Sequence, residues 1–118
     1  MKITARQHRL CSSRRIGELF ETGARRSDAW ATVVGLTNEL PYSRIAYAAG
    51  KRHGTAVRRN RVKRLCREAF RLTVDELPTG WDWVLMPRIR DDLTVEGLKA
   101  CLRKLTRALD SQYTRGRS

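Results

Sequence analysis

The sequence predicts an α+β fold, a single two-layer sandwich in which helices cover a central, mostly antiparallel sheet. Three observations predict it. Three segments repeat apolar residues at helical spacing, three others are short and rich in β-branched and aromatic types, and they alternate as helix–strand–strand–helix–strand–helix. A chain of 118 residues with 41% apolar content suits one domain over 1–118, with an ordered core from about 9 to 110.

The first helix is expected after Ser12 or Ser13, either of which can accept a hydrogen bond from a free amide of its first turn. Ile16, Leu19 and Phe20 then fall at i, i+3 and i+4, and Gly23 stands where a helix commonly stops. "AWATVVGL" (29–36) and "RIAYAAG" (44–50) read as strands, parted by the Asn- and Pro-bearing turn "NELPYS". A helix follows from Thr55, with Val62, Leu65, Cys66, Ala69 and Phe70 forming an amphipathic stripe. "WDWVLMP" (81–87) is a nearly all-apolar strand ended by Pro87, and paired with 44–50 it suggests a parallel βαβ unit.

The last helix opens near Thr94, with Leu93 and Leu98 placed as a hydrophobic staple and Asp91 and Asp92 near its positive end. Val95, Leu98, Leu102, Leu105 and Leu109 give it a buried seam. Residues 1–8 and 111–118 are polar and basic, and loose ends are expected there.

A formal charge of +13 works against compaction and points to a polyanionic partner, nucleic acid before an anionic membrane surface. No apolar run approaches the roughly 18 residues of a spanning helix, and "MKITARQHRLCSS" lacks the apolar stretch of a signal peptide. Cys11, Cys66 and Cys101 are odd in number and widely spaced, which suits reduced thiols in a cytoplasmic protein.

Most of the charge sits in "GKRHGTAVRRNRVKRLCREAFR" (50–71), where nine lysines and arginines surround one glutamate. At about 100° per residue, Asn60, Arg64, Arg67 and Arg71 line the edge opposite the apolar stripe, with Lys63 beside them. Glu68 is placed to pair with Arg64 four residues back. A solvated helix face mixes signs, whereas a ridge of one sign suits phosphates. Lys51 and Arg52 precede the helix in a glycine-flanked loop, near free backbone amides. Arg58 and Arg59 lie in the first turn near the apolar stripe, where they are expected to rim a cleft. Their guanidinium forks suit phosphate, and the Asn60 amide suits a base edge or sugar hydroxyl.

The order Lys-Arg, Gly, Ala-Val, Arg-Asn-Arg-x-Lys-Arg-x-x-Arg-Glu-x-Phe across this segment resembles the signature of the bacterial ribonuclease P protein component. "HRLCSSRRIGELFETG" (8–23) is similar to that family's first helix, and "RIAYAAGKRHG" to the strand entering the signature. The resemblance implies a fold like the second domain of ribosomal protein S5, with a left-handed crossover between strands 44–50 and 81–87 where general statistics favour the right-handed form. It also implies the small subunit of a ribonucleoprotein that removes the 5′ leader from precursor tRNA. Catalysis would belong to the large RNA and its bound Mg²⁺.

By the same resemblance, Lys51, Arg52, Arg58, Arg59, Asn60, Arg61, Lys63, Arg64, Arg67 and Arg71 would face that RNA. Ile16, Phe20 and Trp30 would line a cleft for the single-stranded leader. Ile16 and Phe20 fit core packing equally well. Ile16 stands where the family commonly has an aromatic residue, and Gly50 replaces a usual serine. Neither a membrane nor an obligatory protein partner is expected. The alternative is a ribosomal-protein-like or nucleoid-associated binding module. An autonomous nuclease would need a carboxylate cluster or a His/Glu acid–base pair, and the adjacent acids Asp91-Asp92 stand before a helix, where they suit its dipole instead.

Overall fold

The computed structural model describes residues 6–117, with side chains described over 6–114. Its elements are α1 (Ser13–Thr22), β1 (Ala24–Ser27), β2 (Ala31–Thr37), β3 (Arg44–Tyr47), α2 (Ala56–Thr73), β4 (Trp81–Pro87) and α3 (Val95–Arg117), with 3₁₀ turns at Lys51–His53 and Val74–Glu76. The four strands form one sheet in the order β1-β2-β4-β3. β1 and β4 run antiparallel to β2, while β3 pairs in parallel with β4, so β3-α2-β4 is the expected βαβ unit.

Alternation along the central strands builds two apolar faces. Val33, Trp83, Leu85 and Ile45 pack under α2 and α3, against Cys66, Phe70, Leu98 and Leu102. Their neighbours Val34 and Val84 point the other way, where Leu19 of α1 and Leu10 close over them. The helices therefore form a layer of α2 and α3 on one face, and α1 lies alone on the other. Before α1, residues 8–10 run along β3: the Leu10 N–H donates to Ile45 O (2.9 Å) and the Ile45 N–H to His8 O (2.7 Å).

Helix starts follow the expected capping. Ser12 accepts from Arg15 N at 3.2 Å, Thr55 from Arg58 N at 3.3 Å and Thr94 from Gly97 N at 3.0 Å. The end of α1 differs from expectation, because Gly23 is extended (φ −68°) and closes the helix through its N–H to Leu19 O.

Three boundaries also differ. The strand expected over 29–36 is the second arm of a hairpin whose first arm, Ala24–Ser27, is exposed throughout and so lacks an apolar pattern. Asp28 makes the turn by accepting from the amides of Trp30 (2.7 Å) and Ala31 (3.1 Å). The strand expected over 44–50 ends at Tyr47. The C-terminal end expected to be loose from 111 continues as α3 to Arg117, and at the other end His8 Nδ1 lies 2.7 Å from Ser43 O. Residues 1–5 and 118 of the two expected loose ends lie outside the described residues.

Trp81 and Trp83 stack with centroids 4.7 Å apart and planes 7° from parallel. Gly35 admits them, since a β-carbon there would lie 2.4 Å from the Trp83 ring. Gly35→Ala is expected to cost about 1–3 kcal/mol through overpacking, read as a lower urea midpoint with an unchanged slope.

Candidate nucleic-acid interface

The apolar stripe of α2 turns inward as expected: Cys66, Ala69 and Phe70 are buried, and Val62 and Leu65 are half-buried. Its opposite edge is therefore exposed, carrying Asn60, Arg64, Arg67 and Arg71, with Arg61 also exposed and Lys63 half-buried. Lys51 and Arg52 are exposed on the 3₁₀ turn that leads into the helix. That turn ends at Gly54, whose φ of +98° is ready for glycine and strained for other residues.

Among the described residues, Lys51, Arg52, Arg61, Lys63, Arg64 and Arg67 have no carboxylate partner. Two expectations about charge need correction. Glu68 pairs with Arg71, three residues ahead, and leaves Arg64 free. The two hydrogen bonds between them hold the Glu68 carboxyl below its usual range. Arg58 is also paired, with Asp91, so that aspartate serves α2 as well as the start of α3. Arg59 is half-buried, and its Nε is buried without a partner. The ridge that can meet phosphate is thus centred on the Lys51–Arg52 turn and Arg61–Arg67.

The other candidate surface lies across the sheet. α1 sits over β2 and β4, while Ala46, Ala48 and Met86 on the same face remain half-buried beside it. Ile16 packs into this cluster, and Phe20 is 38% exposed with the Arg25 guanidinium 5.9 Å from its ring centre. Trp30 does not join them. It packs on the α2–α3 side over Gly97, with the Arg90 guanidinium 4.5 Å from its ring centre. The hairpin turn at Asp28 carries it past the sheet edge, which strand alternation does not anticipate.

One buried charge fixes α1 against the sheet. The fully buried Asp82 carboxylate accepts from Arg15 Nε (2.7 Å), Arg44 Nε (2.8 Å), Arg44 Nη2 (2.7 Å) and Asn38 Nδ2 (2.9 Å). Burial alone would raise its pKa, but the bonds from Arg44, Asn38 and Arg15 outweigh burial and hold it below the usual carboxylate range. Burial pushes the Cys66 thiol up to about 12 and raises that of Cys101 as well, so neither buried thiol is a ready nucleophile.

The family model described as Ribonuclease P matches residues 4–110. The chain belongs to the ribonuclease P protein family. It is 32% identical over 111 residues to the ribonuclease P protein component of Petrotoga mobilis, covering 90% of this chain and 94% of that one. It is 43% identical over 84 residues to the component from Methylococcus capsulatus, covering 70% of this chain and 65% of that protein.

Among solved structures, the ribonuclease P protein of Thermotoga maritima superposes with a TM-score of 0.73 at 27% identity, over 81% of this chain and 96% of that one. The Staphylococcus aureus protein shares the fold, with a TM-score of 0.76 at 20% identity over 87% and 88% of the two chains.

For a ribonuclease P protein, the residues that the sequence did not single out are Asp82 with Arg15, Arg44 and Asn38, and Arg25 beside Phe20. A lone acid in "WDWVLMP" was the available signal for the first, because a charge within a buried strand needs partners.

Proposed function

We propose that the chain is the protein subunit of ribonuclease P, which assists a catalytic RNA in the endonucleolytic removal of the 5′ leader from precursor tRNA. The α2 ridge and the turn before it bind the RNA subunit, and the half-buried sheet face beside α1 holds the single-stranded leader. The observation that carries the reading is the exposed set Arg61, Arg64 and Arg67 on α2, which has no carboxylate partner among the described residues, in a chain of this family.

The chemistry follows from charge. Catalytic RNA and substrate repel each other, and a cationic domain with two separate binding surfaces lowers that repulsion while releasing counterions from both. Contacts to leader phosphates and generic stacking tolerate many sequences. The same proposal assigns the Mg²⁺ ions to the RNA subunit. A cytoplasmic location is part of the same proposal.

The test is cleavage of precursor tRNA, with and without its leader, by the cognate RNA at low magnesium. Added protein is expected to restore cleavage of the leader-bearing substrate, and no restoration would overturn the proposal. Phe20→Ala is expected to leave the fold intact and weaken the affinity for leader-bearing substrate by about 1 kcal/mol, roughly fivefold, through lost stacking. An unchanged affinity would place the leader elsewhere.

A further inference from the structure

A cleft of about 250 Å³ separates the first turns of α2 from the segment between β4 and α3. Its lining divides by chemistry. Arg58 and Arg61 supply charge, Val62 and Ile89 supply aliphatic surface, and His53 adds an aromatic ring.

The segment is braced from behind. The Arg88 N–H donates to Trp30 O (2.9 Å) and its Nε to Asp28 O (3.0 Å). Arg90 bonds twice to Asp92, at 2.7 Å each, and once to Ala29 O at 2.9 Å. This bracing neutralises Arg90 and leaves Ile89, 61% exposed, on a fixed backbone at the cleft. From the same segment Asp91 reaches across to Arg58, and this ion pair is exposed on both sides (62% and 90%), hence weak and displaceable.

We propose that this cleft holds one unpaired nucleotide of the ribonuclease P RNA, its phosphate replacing the Asp91 carboxylate on Arg58 and its base lying between Ile89 and Val62. The inference rests on the RNA-binding reading above. Volume and lining limit the occupant: a space of about 250 Å³, below the roughly 300–1,000 Å³ usual for small-molecule sites, suits a single base with its phosphate at the mouth and leaves no room for a duplex. Proteins read structured RNA largely through such unpaired nucleotides, by apolar or stacked base contacts together with arginine on phosphate. Asp91 keeps Arg58 in place when no RNA is bound and excludes anions that bind more weakly than a phosphate ester held by neighbouring contacts.

The test uses the full chain assembled with the cognate RNA. A photoreactive phenylalanine derivative placed at position 89 is expected to cross-link to one unpaired nucleotide of the RNA subunit. Asp91→Asn, which frees Arg58, is expected to tighten RNA binding by about two- to fivefold. Ile89→Asp, which sets a carboxylate against phosphate, is expected to weaken binding by about tenfold or more. Circular dichroism and urea titration confirm that each variant folds.

Cross-links confined to duplex RNA or to precursor tRNA would overturn the inference, as would normal binding by Ile89→Asp. If the unaltered chain failed to bind the RNA at all, the functional reading itself would fall. The two failures are therefore distinct.

Discussion

Asp82→Ala is expected to lower folding stability by about 3 kcal/mol at neutral pH. The carboxylate is fully buried and joins two guanidiniums and one amide from α1, β3 and the segment after β2. Its removal leaves Arg44 without a counter-charge and Arg15 with only the more exposed Glu18. Breaking a buried pair this way costs about 3–5 kcal/mol, and the lower figure applies because both arginines keep some access to water.

The pH dependence follows from the lowered pKa. A carboxyl held below its unfolded value stabilises the fold above that value, about 3.9, and the contribution disappears as pH falls through the folded pKa. The gap in urea-derived stability between the unaltered chain and Asp82→Ala should thus narrow from pH 7 to pH 3. Asp82→Asn, which keeps the shape but not the charge, should lose this acid sensitivity. Equal denaturation midpoints for the unaltered chain and Asp82→Ala at pH 7 would refute the role assigned to this residue.

Simultaneous replacement of Arg61, Arg64 and Arg67 by alanine is expected to have the opposite profile. These side chains are exposed and have no carboxylate partner among the described residues, so stability should change by less than about 0.5 kcal/mol. Affinity for the RNA subunit should fall roughly a hundredfold at about 150 mM salt, because three phosphate contacts and their released counterions are lost. The slope of log affinity against log salt should flatten by about 2–3 units. Arg71→Ala supplies the control: its guanidinium is already engaged by Glu68 and should contribute less. A triple variant with an unaltered slope would move the RNA to another surface.

The fold was legible where apolar spacing and capping residues spoke together. Ser12, Thr55 and Thr94 mark helix starts, and the inward stripe of α2 determines which arginines face out. β1 was not legible, because an edge strand of the sequence Ala-Arg-Arg-Ser has no buried side to write a pattern. The candidate RNA face could be read from its single sign of charge, but its inner economy could not. Whether Glu68 meets Arg64 or Arg71 depends on rotamers, and the Arg58–Asp91 pair joins residues 33 positions apart. Trp30 was misplaced for a related reason, since a turn set by Asp28 decides its side of the sheet.

The segment 8–10 along β3 has a consequence for the free protein. With that rim of the sheet occupied, β1 is the rim left available to another chain, and it presents Arg25 and Arg26. Two copies approaching rim to rim would bring guanidiniums together on bodies that each carry +13. The same positive charge that suits the chain to a polyanion also opposes its polymerising with itself.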